Sequence, residues 1–278
     1  MNRAGRVPAA RYRSRGRHRL GGVGRDASGE QSSSGASGGA APAPARIAVI
    51  RTSGGPASGA GELRLIVLED GRRFRVDAEE VARLGLEPGL VLAPPALLLL
   101  ESRDAYRRAR ETALRLLGAR PRSTAELRAR LRRAGAPLES VASVITNLTN
   151  DGYLNDLEFA RAWVQNRLAV RPCGALRLRS ELREKGVANS LIEQAIREVC
   201  GEEEAAAANA AGGPAETGEE RRARDLVERR LRAYARLAWD ARIRRLAGLL
   251  QRRGFAAPTI ARVLRTVQRS DRGGISDA

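Results

Sequence analysis

The sequence predicts a mainly α fold: three tandem three-helix repeats in an elongated, curved array, preceded by a small β-rich N-terminal module and a disordered basic tail. A repeat with an offset of 51 residues is the first observation behind this. Arg120-Pro121 recurs as Arg171-Pro172, and Leu131–Gly135 recurs as Leu182–Gly186. Units of this length are stacked supersecondary elements, each too small to bury its apolar face alone. A third copy, Leu250–Gly254, follows 68 residues later, and the extra 17 residues match an Ala/Gly/Glu insertion. The second observation is glycine in register. Gly135, Gly186 and Gly254 each close a helix, where glycine alone takes the left-handed conformation cheaply. The third is a change in patterning near residue 96, from alternating β-type runs to helical spacing.

Residues 1–45 are rich in Arg, Gly, Ser, Ala and Pro and have few core formers, which predicts a disordered tail. Residues 46–95 form the β-rich module. Arg46–Arg51 reads as a strand, and Leu63–Leu68 and Arg72–Val76 are strands joined at Asp70-Gly71, a type I′ hairpin signal. The Gly-rich stretch Ser53–Gly61 lacks the Lys and Ser/Thr of a phosphate-binding loop and reads as a mobile hairpin loop. A short helix follows, with Asp77 as N-cap, Glu80 at its third position and Gly85 at its end. Pro88-Gly89 makes a turn, and Pro94-Pro95 opens a long helix.

The repeats are assigned to residues 96–154, 155–200 and 219–270, with 271–278 as a disordered end. Their helices are predicted at 96–118, 123–134 and 138–150; 156–169, 174–185 and 189–199; and 219–236, 240–253 and 258–269. Ser123 and Glu126 form a capping-box signature. Four residues before each closing glycine stand Leu131, Leu182 and Leu250; eight before stand Leu127, Leu178 and Leu246. Val141, Ile192 and Ile260 follow the glycines by six, and Ile145, Ile196 and Leu264 by ten. Spacings of four put these side chains on one helix face, so they are core. Residues 201–218 carry four glutamates and no basic residue amid Ala and Gly, and predict a flexible acidic linker. A continued Ala-rich helix through about Ala210 is the alternative.

The composition excludes several classes of function. His18 is the only histidine and lies in the tail, and Cys173 and Cys200 lack metal-ligand spacing. No catalytic residue, cofactor or metal site is predicted, and the chain does not read as an enzyme. Asp151, Asp156 and Glu158 could be imagined as nuclease metal ligands, but they fit better as N-terminal charges of the helix starting near 156. No signal peptide or membrane-length apolar run is seen, which together with free thiols points to the cytoplasm.

The formal net charge is +18, with Lys185 the sole lysine. Charge of this density attracts polyanions. Residues 103–200 hold 19 basic and 11 acidic residues, and 219–270 hold 15 and 5, whereas the β module is nearly neutral. The structured excess therefore lies in the repeats. The candidate binding surface comprises Arg122, Arg128, Arg132 and Arg133; Arg167, Arg177, Arg179, Arg183 and Lys185; and Arg244, Arg245, Arg252 and Arg253, with Arg242 nearby. Equivalent positions on a stack would form a basic stripe. Pairing at i,i+4, such as Glu181 with Lys185, is the competing reading for any single cation. Aromatic residues, at 3%, are too few for a base-stacking platform. Phe159 and Trp163, four apart, read as core where the first two repeats meet, near Tyr153. An alternative function is a DNA-binding regulator acting through tandem helix-turn-helix-like units.

Arg120-Pro121-Arg122-Ser123 with Glu126-Leu127, Gly152-Tyr153-Leu154-Asn155-Asp156 with Phe159-Ala160, Lys185-Gly186, and Leu249–Phe255 together resemble the bacterial RecX family over about 103–269. The strands before them resemble an extension some members carry. Asn155 stands where the family more often has Asp, Cys173 interrupts a loop, and the 201–218 insertion is unusual. The resemblance implies a monomeric cytoplasmic regulator that binds RecA in the groove of its DNA filament. It would lower recombinase, ATPase and co-protease activity, and would bind single- and double-stranded DNA without sequence preference.

Overall fold

The computed structural model describes residues 43–53, 62–211 and 217–273. The expected disordered tail up to residue 42, the Gly-rich loop at 54–61, the end of the expected linker at 212–216 and the last residues 274–278 lie outside the described residues. The described residues divide into two compact units, one of those up to 112 with 135–144, the other of 113–134 with those from 145 on.

In the first unit four strands form one antiparallel sheet, ordered β3-β2-β1-β4. They are β1 (Ala45–Thr52), β2 (Leu63–Leu68), β3 (Arg73–Asp77) and β4 (Val91–Leu92). Ile47, Ile66, Leu68, Phe74 and Val76 are buried together with Leu97 and Leu100 of helix α2 (Pro94–Ala119). The β2–β3 connection differs from the expected type I′ turn. Gly71 has φ +86°, but no non-glycine residue among those described has positive φ, so Asp70 does not fill the second left-handed position. The Gly71 amide donates to the Leu68 carbonyl (3.0 Å) and the Leu68 amide to the Arg72 carbonyl (2.9 Å). That is a three-residue loop with glycine in the bulge, in which a single left-handed residue suffices. Helix α1 (Ala78–Arg83) starts after Asp77 as expected, but Asp77 makes no capping bond. Its carboxylate pairs with Arg107 at 3.4 Å instead. The α2 side chain of Asp104, 4% exposed, accepts the Arg75 amide at 3.0 Å, satisfying a donor on the edge strand β3.

The repeat helices are α2; α3 (Thr124–Arg133); α4 (Leu138–Asn150); α5 (Asp156–Val170); α6 (Ala175–Glu184); α7 (Asn189–Ala211); α8 (Gly218–Leu231); α9 (Trp239–Arg252); and α10 (Ala257–Gly273). All twelve apolar positions aligned on the closing glycines are buried. The second repeat encloses its own cluster around Val164, Leu178, Leu182, Ile192 and Ala195. The third does so around Val227, Leu246, Leu250 and Ile260. Two differences from expectation concern the insertion. Helix α7 continues to Ala211, because its Ala-rich sequence favours helix once nucleated by the repeat core. The chain re-enters helix at a capping box: Thr217 Oγ1 accepts the Glu220 amide while Glu220 reaches back to the Thr217 amide. Ser123, by contrast, caps α3 without the reciprocal bond.

The closing glycines have φ values of +81°, +73° and +77°. At Gly135 an added Cβ would meet nothing within 4 Å, whereas at Gly186 it would overlap the Cβ of Ala125. Gly135→Ala therefore carries only the left-handed cost of about 1–2 kcal/mol, and Gly186→Ala should destabilise by clearly more in urea melts. Leu182→Ala, fully buried in the second-repeat cluster, should lower stability by about 2–5 kcal/mol.

Candidate polyanion-binding surface

A helix N-terminus leaves amide donors without intrahelical partners. In α3 and α6 the next repeat supplies those partners, and it does so the same way twice. At the first joint Ser123 caps α3, its hydroxyl accepting from the Glu126 amide at 3.1 Å and donating to the Lys185 carbonyl. The Thr124 amide donates to Asp156 at 2.8 Å. Asp156 thus caps the neighbouring repeat's middle helix, while Asn155 caps its own, accepting from the Leu157 and Glu158 amides at 3.0 and 3.1 Å. At the second joint Gly174 occupies the position of Ser123. Its amide donates to the Arg253 carbonyl at 3.0 Å, and the Leu176 amide to the Gly254 carbonyl at 3.2 Å. The Ala175 amide donates to Glu219 at 3.0 Å. Lys185 and Arg253 stand at one repeat position, as do Thr124 and Ala175. A side chain at Gly174 would run into the Gly254 carbonyl, so the second joint is a backbone-to-backbone contact.

A cleft opens at each joint. The first, of about 340 Å³, is lined by Arg120, Arg122, Glu126, Arg130, Arg133, Arg183, Glu184 and Lys185. The second, of about 330 Å³, is lined by Arg167, Arg171, Cys173, Arg177, Glu181, Arg252 and Arg253. In the first, Glu126 accepts from Lys185 Nζ and from Arg120, each at 3.0 Å. Burial pushes the Glu126 pKa up, but these two cations outweigh it and hold the carboxyl below its ordinary value. In the second, buried Glu181 accepts from Arg167 at 2.6 Å, Arg177 at 2.9 Å and the Trp163 indole at 3.1 Å. The Glu181–Lys185 pair of the competing reading is therefore not formed. Each partner has a stronger claim across the fold, on Arg167 and on Glu126. The Trp163 ring carries Lys185 Nζ at 4.1 Å and the Arg167 guanidinium at 5.0 Å, within cation–π range. Phe159 stacks on it at 6.2 Å, and Tyr153 is exposed.

The predicted cations sort into two groups. Arg128, Arg132, Arg133, Arg244 and Arg252 are exposed, without an ion-pair or hydrogen-bond partner for their side chains among the described residues. The others have intramolecular roles. Arg179 grips Glu193 through two bonds of 2.7 and 2.8 Å, and that pairing holds the Glu193 carboxyl below its usual range. Arg183 donates to Asn189 at 3.0 Å, Arg122 to the Leu116 carbonyl at 3.1 Å, and Arg253 to the Pro172 carbonyl at 3.5 Å. Arg245 lies 6.0 Å over Tyr234, and Arg242 donates to the Leu237 carbonyl at 2.8 Å. Arg128 and Arg132 match Arg179 and Arg183 by repeat position, but the third repeat has Ala247 and Gln251 there. Sequence reasoning missed Arg120, Arg130 and Arg171 as cleft residues. Arg120 and Arg171 served only as repeat markers, although a cation recurring at a joint was itself the signal. Among the described residues no group of His, Cys, Asp and Glu could hold a metal, and no helix is long and apolar enough to cross a membrane. Neither Cys173 nor Cys200 is in a disulfide, and burial raises the Cys173 thiol pKa.

Three family models match in order: the first, second and third three-helix domains of RecX, over residues 109–148, 155–196 and 218–264. The regulatory protein RecX of Streptomyces coelicolor is 38% identical over 163 residues, 59% of this chain and 79% of that protein. The chain belongs to the RecX family. The Thermobifida fusca RecX is 36% identical over 162 residues, 58% of this chain and 80% of its own length. A crystal structure of regulatory protein RecX superposes with a TM-score of 0.60 at 19% identity, covering 79% of this chain and 98% of that one. The RecX fold thus accounts for the mainly helical architecture.

The Glu126 pairing sets a pH dependence. Its folded pKa lies below its unfolded value, so its stabilisation is complete above the unfolded carboxylate range, about 4.3, and is lost as pH falls through the folded value. Glu126→Gln should lower the melting temperature at pH 7. The gap to wild type should close in melts at progressively lower pH below about 4.

Proposed function

We propose that the protein binds the RecA recombinase and the groove of its DNA filament, and mostly inhibits strand exchange, ATP hydrolysis and co-protease activity. It does so as a monomeric cytoplasmic protein without catalysis of its own. Membership of a family of regulatory proteins supports the assignment. The observation that carries it is repetition: two basic clefts recur at consecutive joints of the repeats, beside arginines free of carboxylates. A repeating surface suits a repeating ligand, and a nucleoprotein filament is a regular polyanion. The tandem helix-turn-helix reading is disfavoured. Such a unit reads bases with the helix after its tight turn, here α4, α7 or α10, and α4 has no basic residue while α7 has only Arg197.

Stoichiometric addition to the cognate recombinase should lower strand exchange and DNA-stimulated ATPase; no effect in either assay refutes the proposal. Arg128→Glu, Arg132→Glu and Arg133→Glu combined should leave the melting curve within a few degrees of wild type. Filament binding should weaken at least tenfold at physiological salt, with a shallower salt dependence.

A further inference from the structure

The two joints differ at one pair of facing positions. At the first, Glu126 on α3 and Lys185 at the end of α6 form an ion pair across the joint at 3.0 Å. The repeat-equivalent pair at the second joint is Arg177 on α6 and Arg253 at the end of α9. Two cations thus stand where the first joint holds a salt bridge. The remaining lip of the cleft sharpens the contrast: Glu184 of the first joint is replaced by Arg252. The cleft's single carboxylate, Glu181, is 8% exposed and already takes bonds from Arg167, Arg177 and Trp163. It has no oxygen left without a donor. Arg171 and Arg252 have no carboxylate partner among the described residues, and Arg253 has only a long bond to the Pro172 carbonyl. Five guanidinium groups from two repeats therefore share a single carboxylate around a space of about 330 Å³. Like charges so arranged repel, and a multivalent oxyanion between them restores the missing bridge.

We propose that the second joint is a phosphate-binding site, in which the anion bridges Arg177 and Arg253, with Arg171 and Arg252 at its sides, and clamps the third repeat onto the second. Planar guanidinium forks fit phosphate oxygens better than a lysine would. The occupant is either a free oligophosphate or a phosphate of a nucleic-acid backbone, which share this chemistry. Because binding involves the protein alone, the site stands or falls independently of the action on RecA.

Thermal unfolding of the full chain tests it, with tripolyphosphate or a single-stranded oligodeoxynucleotide as probe against sodium chloride of equal ionic strength. A probe that binds only the folded form raises the melting temperature, here by several degrees. Arg253→Gln removes one side of the bridge while leaving the Arg177–Glu181 pair intact, and should lose most of the shift with either probe. Arg252→Gln, on an exposed side chain, keeps the fold and should lose at least half of the shift; Arg130→Gln, in the first cleft, should keep it. A shift with tripolyphosphate identifies a free phosphate as occupant, and a shift with the oligonucleotide alone identifies the backbone. No shift beyond the chloride control, or an equal shift in wild type and Arg252→Gln, overturns the proposal.

Discussion

Everything in the repeat region depends on how one repeat ends and the next begins. The middle helix of each repeat stops at a glycine in the left-handed conformation. In the second and third repeats that glycine lies against the preceding repeat's middle helix, Gly186 on Ala125 and Gly254 on Arg177. A β-carbon at either place would push the two backbones apart. Only then can the carbonyl just before the glycine reach the N-terminal turn of the earlier helix. The glycine therefore has two roles: it ends the helix and it permits the joint. Gly135, which ends its helix with open space around it, has only the first.

The joint decides where charge can accumulate. Middle helices end in basic residues, favoured near the negative end of the helix dipole. Docking that end onto the N-terminal turn of another helix brings the basic residues to the edge of a cleft. The amides of that turn are satisfied by a carboxylate from the first helix of the next repeat, Asp156 or Glu219. Those two carboxylates are thereby engaged outside the clefts, where cations outnumber Glu126 and Glu184 in the first and Glu181 in the second. A basic cleft is thus a consequence of stacking these units, and its strength is tuned by few positions. Position 126 is acidic in the first repeat, whereas its equivalent, position 177, is basic in the second.

Features set by local chemistry were legible in the sequence. The glycine register, the leucines four and eight residues before it, and the proline opening of α2 are all read within one or two turns of helix. Features set by distant partners were not. Glu181 and Lys185 satisfy the i,i+4 spacing, yet each is held by a residue from another helix. Asp156 looks like a cap for its own helix, but Asn155 already has that role and Asp156 is free to serve α3. Asp70-Gly71 has the composition of a type I′ turn, but the chain places a third residue in the loop, so one positive φ is enough. The continuation of α7 lay between these cases. Propensity allowed both helix and linker there, and sequence gave no means of choosing.

The sole lysine illustrates the same limit. In a chain that otherwise uses arginine throughout, Lys185 reads as an accident of composition. In the structure its ammonium lies 4.1 Å from the centroid of Trp163 and 3.0 Å from Glu126, with its side chain 17% exposed. The face of one aromatic ring and one carboxylate oxygen suit a compact point charge. Arginine would bring a planar fork with five donors to a place that offers few acceptors. The same ring also meets an arginine, Arg167, which has the Glu181 carboxylate to receive it. Two cations of different shape thus meet one indole, each matched to the acceptors around it. Through that indole the first joint and the second are linked across the middle repeat.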